Sequence, residues 1–110
     1  MTLEDIQKIC RSLGNVTEDI KWEHDLCFSI GGKMFLVTPS DSMPVSASFK
    51  TDEETFGELT EKEGIQPAPY LARHKWVHVD DINRFSKKEW EQFIRQSHEL
   101  VKAKLPKRKK

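Results

Sequence analysis

A chain of 110 residues suits one domain with one core. It is 33% charged and 36% apolar, and no apolar run approaches the roughly 18 residues needed to cross a bilayer. Formal charge is zero, yet six of the eighteen basic residues and none of the eighteen acids lie in 101–110, so residues 1–100 carry about six excess negative charges and make a poor general phosphate binder.

The N-terminal "MTLEDIQKIC" has no basic region leading into an apolar one. It therefore predicts no secretory signal, and the cytoplasm is the expected compartment. The same segment opens a helix, "TLEDIQKICRSLG". Thr2 caps it, with Asp5 three residues on. Ile6, Ile9, Cys10 and Leu13 share one face, and Gly14 supplies the stop. Cys10 and Cys27 read as small buried hydrophobes, since a reducing compartment disfavours a disulfide and no zinc spacing is present.

"LCFSI" and "KMFLV" flank Gly31-Gly32, a strong hairpin-turn signal. The simplest register sets Ile30 opposite Lys33, Phe28 opposite Phe35 and Leu26 opposite Val37, all on the core face. "PVSASFK" predicts a third strand, with Val45, Ala47 and Phe49 inward. A helix follows over "TDEETFGELTEKEG", with Thr51 and Glu54 as its capping pair, Phe56 and Leu59 as a thin apolar face, and Gly64 as its end.

Pro67 and Pro69 then set a corner. "HKWVHVD" alternates as a strand, with Val77 and Val79 inward and Trp76 and His78 outward. The last helix starts at Ser86 with Glu89 as its capping partner. It buries Trp90, Phe93, Ile94, Ser97 and Val101, and Pro106 ends it. Trp22 reads as a further core aromatic, and the basic tail 106–110 as disordered.

These elements predict an α+β domain over 1–105, with helices on one face of an antiparallel sheet. The other face stays open and carries Cys27, Ser29, Met34, Leu36, Ser46, Ser48, Trp76 and His78. Semi-apolar and centred on small serines, it suits a protein partner, a peptide or a flat small ligand.

The stretches "KWEHDLCFSIGGKMFLV", "SFKTDEETFGEL" and "GIQPAPYLARHKWVHVDD" resemble the MmcQ/YjbR family of small bacterial proteins, in the family's order and over nearly the whole chain. The positions that carry the resemblance are Lys21, Trp22, His24, Phe28, Gly32, Lys33, Pro67, Ala68, Tyr70, Trp76 and Val77. The resemblance implies a two-layer fold of order α-β(3)-α-β(2)-α, like that of secretion chaperones, with a second strand at 65–68. It also implies DNA binding by a double-wing arrangement, and no enzymatic reaction.

Nucleic-acid binding needs cations for phosphates and aromatics for bases. The candidates are Lys33, Lys50, Arg73, Lys75, the tail residues Lys107, Arg108, Lys109 and Lys110, and Tyr70 and Trp76 for stacking. Catalytic patterning is absent: there is no Ser/His/Asp order, no phosphate loop and no HExxH. His24 beside Asp25, and His78 beside Asp80 and Asp81, read as structural pairs rather than metal sites. The chain therefore reads as a non-enzymatic binding protein without a cofactor. DNA is the first candidate ligand, in a weak and salt-dependent mode, and a partner on the open sheet face is the second.

Overall fold

The computed structural model describes residues 1–21, 24–39, 41, 43–69 and 71–105. The elements run α1 (Leu3–Arg11), β1 (Val16–Lys21), β2 (Asp25–Ile30), β3 (Lys33–Pro39), β4 (Ala47–Lys50), α2 (Glu53–Thr60), β5 (Ile65–Pro67), β6 (Trp76–Val79) and α3 (Lys87–Ala103), with short 3-10 turns at Ala72–His74 and Ile82–Arg84. The six strands form one antiparallel sheet in the order β1-β2-β3-β4-β6-β5. This is the expected α+β layering, with a strand at 65–67 as the resemblance implied. Four strands rather than three precede α2. The extra one, β1, is a mostly exposed edge whose polar sequence "VTEDIK" lacks apolar alternation, so periodicity does not mark it. Among the described residues no helix is long and apolar enough to cross a membrane.

The caps of α1 and α3 form as their sequences predict: Thr2 with Asp5 and Ser86 with Glu89 each close a reciprocal capping box. The cap of α2 is corrected by one residue. Asp52, not Thr51, accepts from the Thr55 amide. Thr51 is buried instead, and its hydroxyl and amide both donate to the Lys75 carbonyl, tying β4 to the start of β6. Gly64 does not end α2, whose C-cap is Glu61. It sits at φ +83°, leads into β5 and receives the Asp80 amide on its carbonyl. Trp22 and residues 106–110 lie outside the described residues.

The hairpin turn is as predicted, with Gly31 and Gly32 at φ +58° and +83°, as a type I′ turn requires. The register beyond it is not. Ile30 faces Lys33 and Ser29 faces Met34, but Phe28 then faces Leu36, Cys27 faces Val37 and Leu26 faces Thr38. The slip is a β-bulge that sets Phe35 and Leu36 against the single residue Phe28. Both side chains are fully buried, so the bulge delivers two adjacent large apolar residues to the core. Leu36 therefore joins the core, and Val37 turns to the open face.

The core lies between the sheet and the helices. Phe49, Phe85, Trp90 and Phe93 make edge and tilted ring contacts at 4.8 to 5.8 Å. Ser97 of α3 donates to the Phe35 carbonyl and accepts from the Lys50 amide, pinning the helix across β3 and β4. One turn of α3 is less well satisfied. His98 is 4% exposed, stands edge-on to Phe35 at 5.3 Å, and has no hydrogen-bond partner for either ring nitrogen among the described residues.

Burial, chiefly, lowers the His98 pKa below its ordinary 6.5; Glu99 opposes this and Lys102 adds to it. The unfolded chain then binds this proton more readily than the folded one. The associated stability is complete above pH 6.5 and is lost as pH falls below it. His98→Leu is expected to shrink the loss of urea midpoint between pH 7.5 and pH 5.5. An unchanged difference between the two pH values would assign the acid sensitivity elsewhere.

Candidate functional sites at the turn end and on the open face

The strand register decides which candidate cations can act together. Lys33 opens β3, and the pairing of Leu36 with Phe49 brings Lys50 level with the first residues of that strand. Lys50 in turn pairs with Trp76, so Arg73 and Lys75 arrive at the same end of the sheet, beside the β2–β3 turn. The last turns of α3 reach that end too, because a Cβ on Gly31 would stand 2.6 Å from Leu105. Lys102 and Lys104 come with it, and Lys104 lies near enough to Lys50 to help lower its pKa, after the larger effect of burial. In the sequence Lys102 and Lys104 fall before Pro106, near the end of the last helix, and are not among the candidate contacts. Their placement beside the turn is a tertiary fact. The acidic first turn of α2, with Asp52, Glu53 and Glu54, begins at the same end.

The candidates differ in availability. Lys33 and Arg73 are exposed. Lys50 is half-buried and its ammonium donates to the His74 carbonyl at 2.7 Å. Lys75 is half-buried, at φ +66°, with its ammonium 5.2 Å from the centre of the Phe56 ring. Trp76 is 5% exposed and offers no face for stacking. The proline corner explains this. It doubles back on the start of β6, where the Ala68 amide donates to the Trp76 carbonyl and the Trp76 amide donates to the Leu71 carbonyl. Tyr70, Lys107, Arg108, Lys109 and Lys110 lie outside the described residues.

The open sheet face is also narrower than the sequence predicts. Cys27, Ser29, Ser46 and Trp76 are buried, and Leu36 belongs to the core. Burial is the main reason both thiols have raised pKa values, which suits small hydrophobes. What remains is a hollow of about 370 Å³ lined by Asp25, Met34, Val37, Ser48, Ala68, Pro69 and Leu71. Met34 and Ser48 line it as the strand alternation predicts. Val37 arrives through the bulge, and Pro69 and Leu71 through the corner. His78 stands beside it, with Nδ1 2.9 Å from the Ser48 hydroxyl. Burial, chiefly, holds the His78 pKa below its ordinary value, and the Asp80 carboxylate works against that.

The other imidazole, His24, has its Nδ1 3.3 Å from the Asp41 carboxylate. Asp80 is held by Arg84 through two hydrogen bonds. Among the described residues no three metal-ligating side chains gather in one place.

Comparison with known proteins agrees with this architecture. No curated protein matches the chain. The structure is similar to that of the Deinococcus radiodurans protein DR2400, which carries a DUF419 domain: TM-score 0.85, 25% identity, 94% of this chain and 80% of that one covered. It is also similar to a Pseudomonas syringae protein at TM-score 0.75 and 20% identity, covering 92% of this chain and 99% of that one, a likeness of fold alone. The model of the YjbR family matches residues 11–100, which include all six strands and both candidate surfaces except Lys102 and Lys104, and the chain belongs to that family.

Proposed function

We propose that the protein is a non-enzymatic, sequence-tolerant DNA-binding module that meets duplex phosphates at the turn end of its sheet. One observation carries this reading. A body with an overall negative charge concentrates Lys33, Lys50, Arg73, Lys75, Lys102 and Lys104 at one end, the end at which the chain continues into "PKRKK". Local cation density, not net charge, sets the number of phosphates neutralised. The loss of Trp76 as a stacking group, and the absence of a basic stripe on any helix among the described residues, argue for backbone contacts without base readout.

The test is titration of a mixed-sequence duplex at 50 and 200 mM salt, with the full chain and with residues 106–110 removed. The expected result is binding at 50 mM that weakens at 200 mM in both forms, with the shorter chain weaker. Binding only by the full chain would transfer the activity from the fold to the tail. No binding by either form at 50 mM would end the DNA reading.

A second reading is a ligand-binding role for the open sheet face, and the hollow between the sheet and the proline corner favours it. Its volume falls within the ~300–1,000 Å³ typical of small-molecule sites.

A further inference from the structure

The hollow on the open face has a chemical character that narrows what it can hold. Its walls are mainly apolar, from Met34, Val37, Pro69 and Leu71, and such walls favour an apolar body of aromatic size. Among the described residues its polar groups are Asp25 and Ser48. The Asp25 carboxylate is half-buried and closes no ion pair among the described residues, although Lys21 lies opposite it across the β1–β2 ladder. An ionised carboxylate only accepts hydrogen bonds. The Ser48 hydroxyl is 2.9 Å from the His78 Nδ1. With the proton of the neutral imidazole on Nε2, that hydroxyl donates to Nδ1 and its oxygen is left to accept from the hollow.

We propose that this hollow is a small-molecule site for an apolar, aromatic-sized amine, with the ammonium on Asp25, the ring against Met34, Val37 and Leu71, and Ser48 as an additional acceptor. The proposal rests on the second reading above and is independent of DNA binding. A half-buried carboxylate with no partner among the described residues gains most from a cationic donor, because a charge-assisted hydrogen bond is about twice as strong as a neutral one. A neutral ligand of the same shape would fill the same apolar walls and leave the carboxylate unpaired. An anionic one would be repelled.

The probes are 2-phenylethylamine and 2-phenylethanol, which share a ring and differ in the charged donor. Each is titrated into the full-length, isotope-labelled chain at pH 7, following the backbone amide signals. The expected result is saturable shifts at Met34, Val37, Ser48 and Leu71 with the amine at millimolar concentration, and binding of the alcohol weaker by about tenfold or more. Asp25→Asn is expected to bring the two probes to similar affinity while leaving the remaining amide spectrum folded.

Equal binding of both probes to the unaltered chain would overturn the amine assignment and leave the hollow as a site of another class. Failure of both probes to shift these amides would overturn the proposal and the open-face reading together. A preference for the amine that survives in Asp25→Asn would place the ammonium elsewhere and overturn the assignment of Asp25.

Discussion

Replacing Trp90 with alanine is expected to cost about 3–5 kcal/mol, the usual range for deleting a large buried aromatic. Trp90 is fully buried and makes edge contacts with Phe49 and Phe85. Its indole N–H donates to the Ile82 carbonyl at 2.7 Å. Truncation therefore opens a cavity beneath β4, removes aromatic packing on both sides and leaves a buried carbonyl without its donor. A domain of this size has about 5–15 kcal/mol in total, so the variant should lose a large part of its stability.

Trp90→Phe separates these contributions. It keeps most of the volume and removes the hydrogen bond, and about 1–3 kcal/mol of loss is expected. Urea unfolding followed by far-UV circular dichroism measures both variants. A loss below about 1 kcal/mol for the alanine variant would mean that the site collapses freely, and that this ring cluster is not the centre of the core.

The second large effect concerns the turn end. Lys33, Arg73 and Lys104 are exposed, and among the described residues none of them closes an ion pair, so their replacement should leave the fold intact. Lys33→Ala, Arg73→Ala and Lys104→Ala together are expected to weaken duplex binding strongly at 50 mM salt. They should also reduce the slope of log K against log salt by up to about 3, at roughly 0.9 for each phosphate no longer neutralised. The loss should be similar for duplexes of different sequence, because phosphate contacts carry no sequence information. Fluorescence anisotropy at several salt concentrations reads both quantities. An unchanged slope would show that these residues do not meet phosphates. A loss confined to certain sequences would point to base readout that the buried Trp76 does not explain.

The two surfaces adjoin, because Met34 lines the hollow next to Lys33, and their tests are kept apart by the charged residues replaced. Asp25 belongs to the hollow, near the end of β2 remote from the Gly31-Gly32 turn, and Lys33 and Lys104 belong to the turn end. A variant at one should not alter binding at the other unless the two ligands are coupled through the sheet.

Local chemistry made much of the fold legible in the sequence. The caps at Thr2 and Ser86, the Gly31-Gly32 turn, the apolar faces of α1 and α3 and the alternation of Val77 and Val79 depend on neighbours within a few residues. Period and capping reveal such interactions directly. The family could be read in the same way, because its motifs are contiguous stretches. The tertiary structure decided what depends on distant partners. β1 is a strand because β2 offers it a ladder, not because its own residues alternate. The bulge at Phe35 exists because the core accepts two adjacent large side chains there, and it exchanges the faces of Leu36 and Val37. Trp76 lies on the outward side of its strand and is buried all the same, since the proline corner returns to bond its backbone. The candidate site was legible as residue types and not as a place. Only the antiparallel pairing of β3, β4 and β6 brings Lys33, Lys50 and Lys75 to one end, and only the docking of α3 adds Lys102 and Lys104. Charge at a surface is set by which chain segments meet there, and that is a property of the packed sheet rather than of any single stretch of sequence.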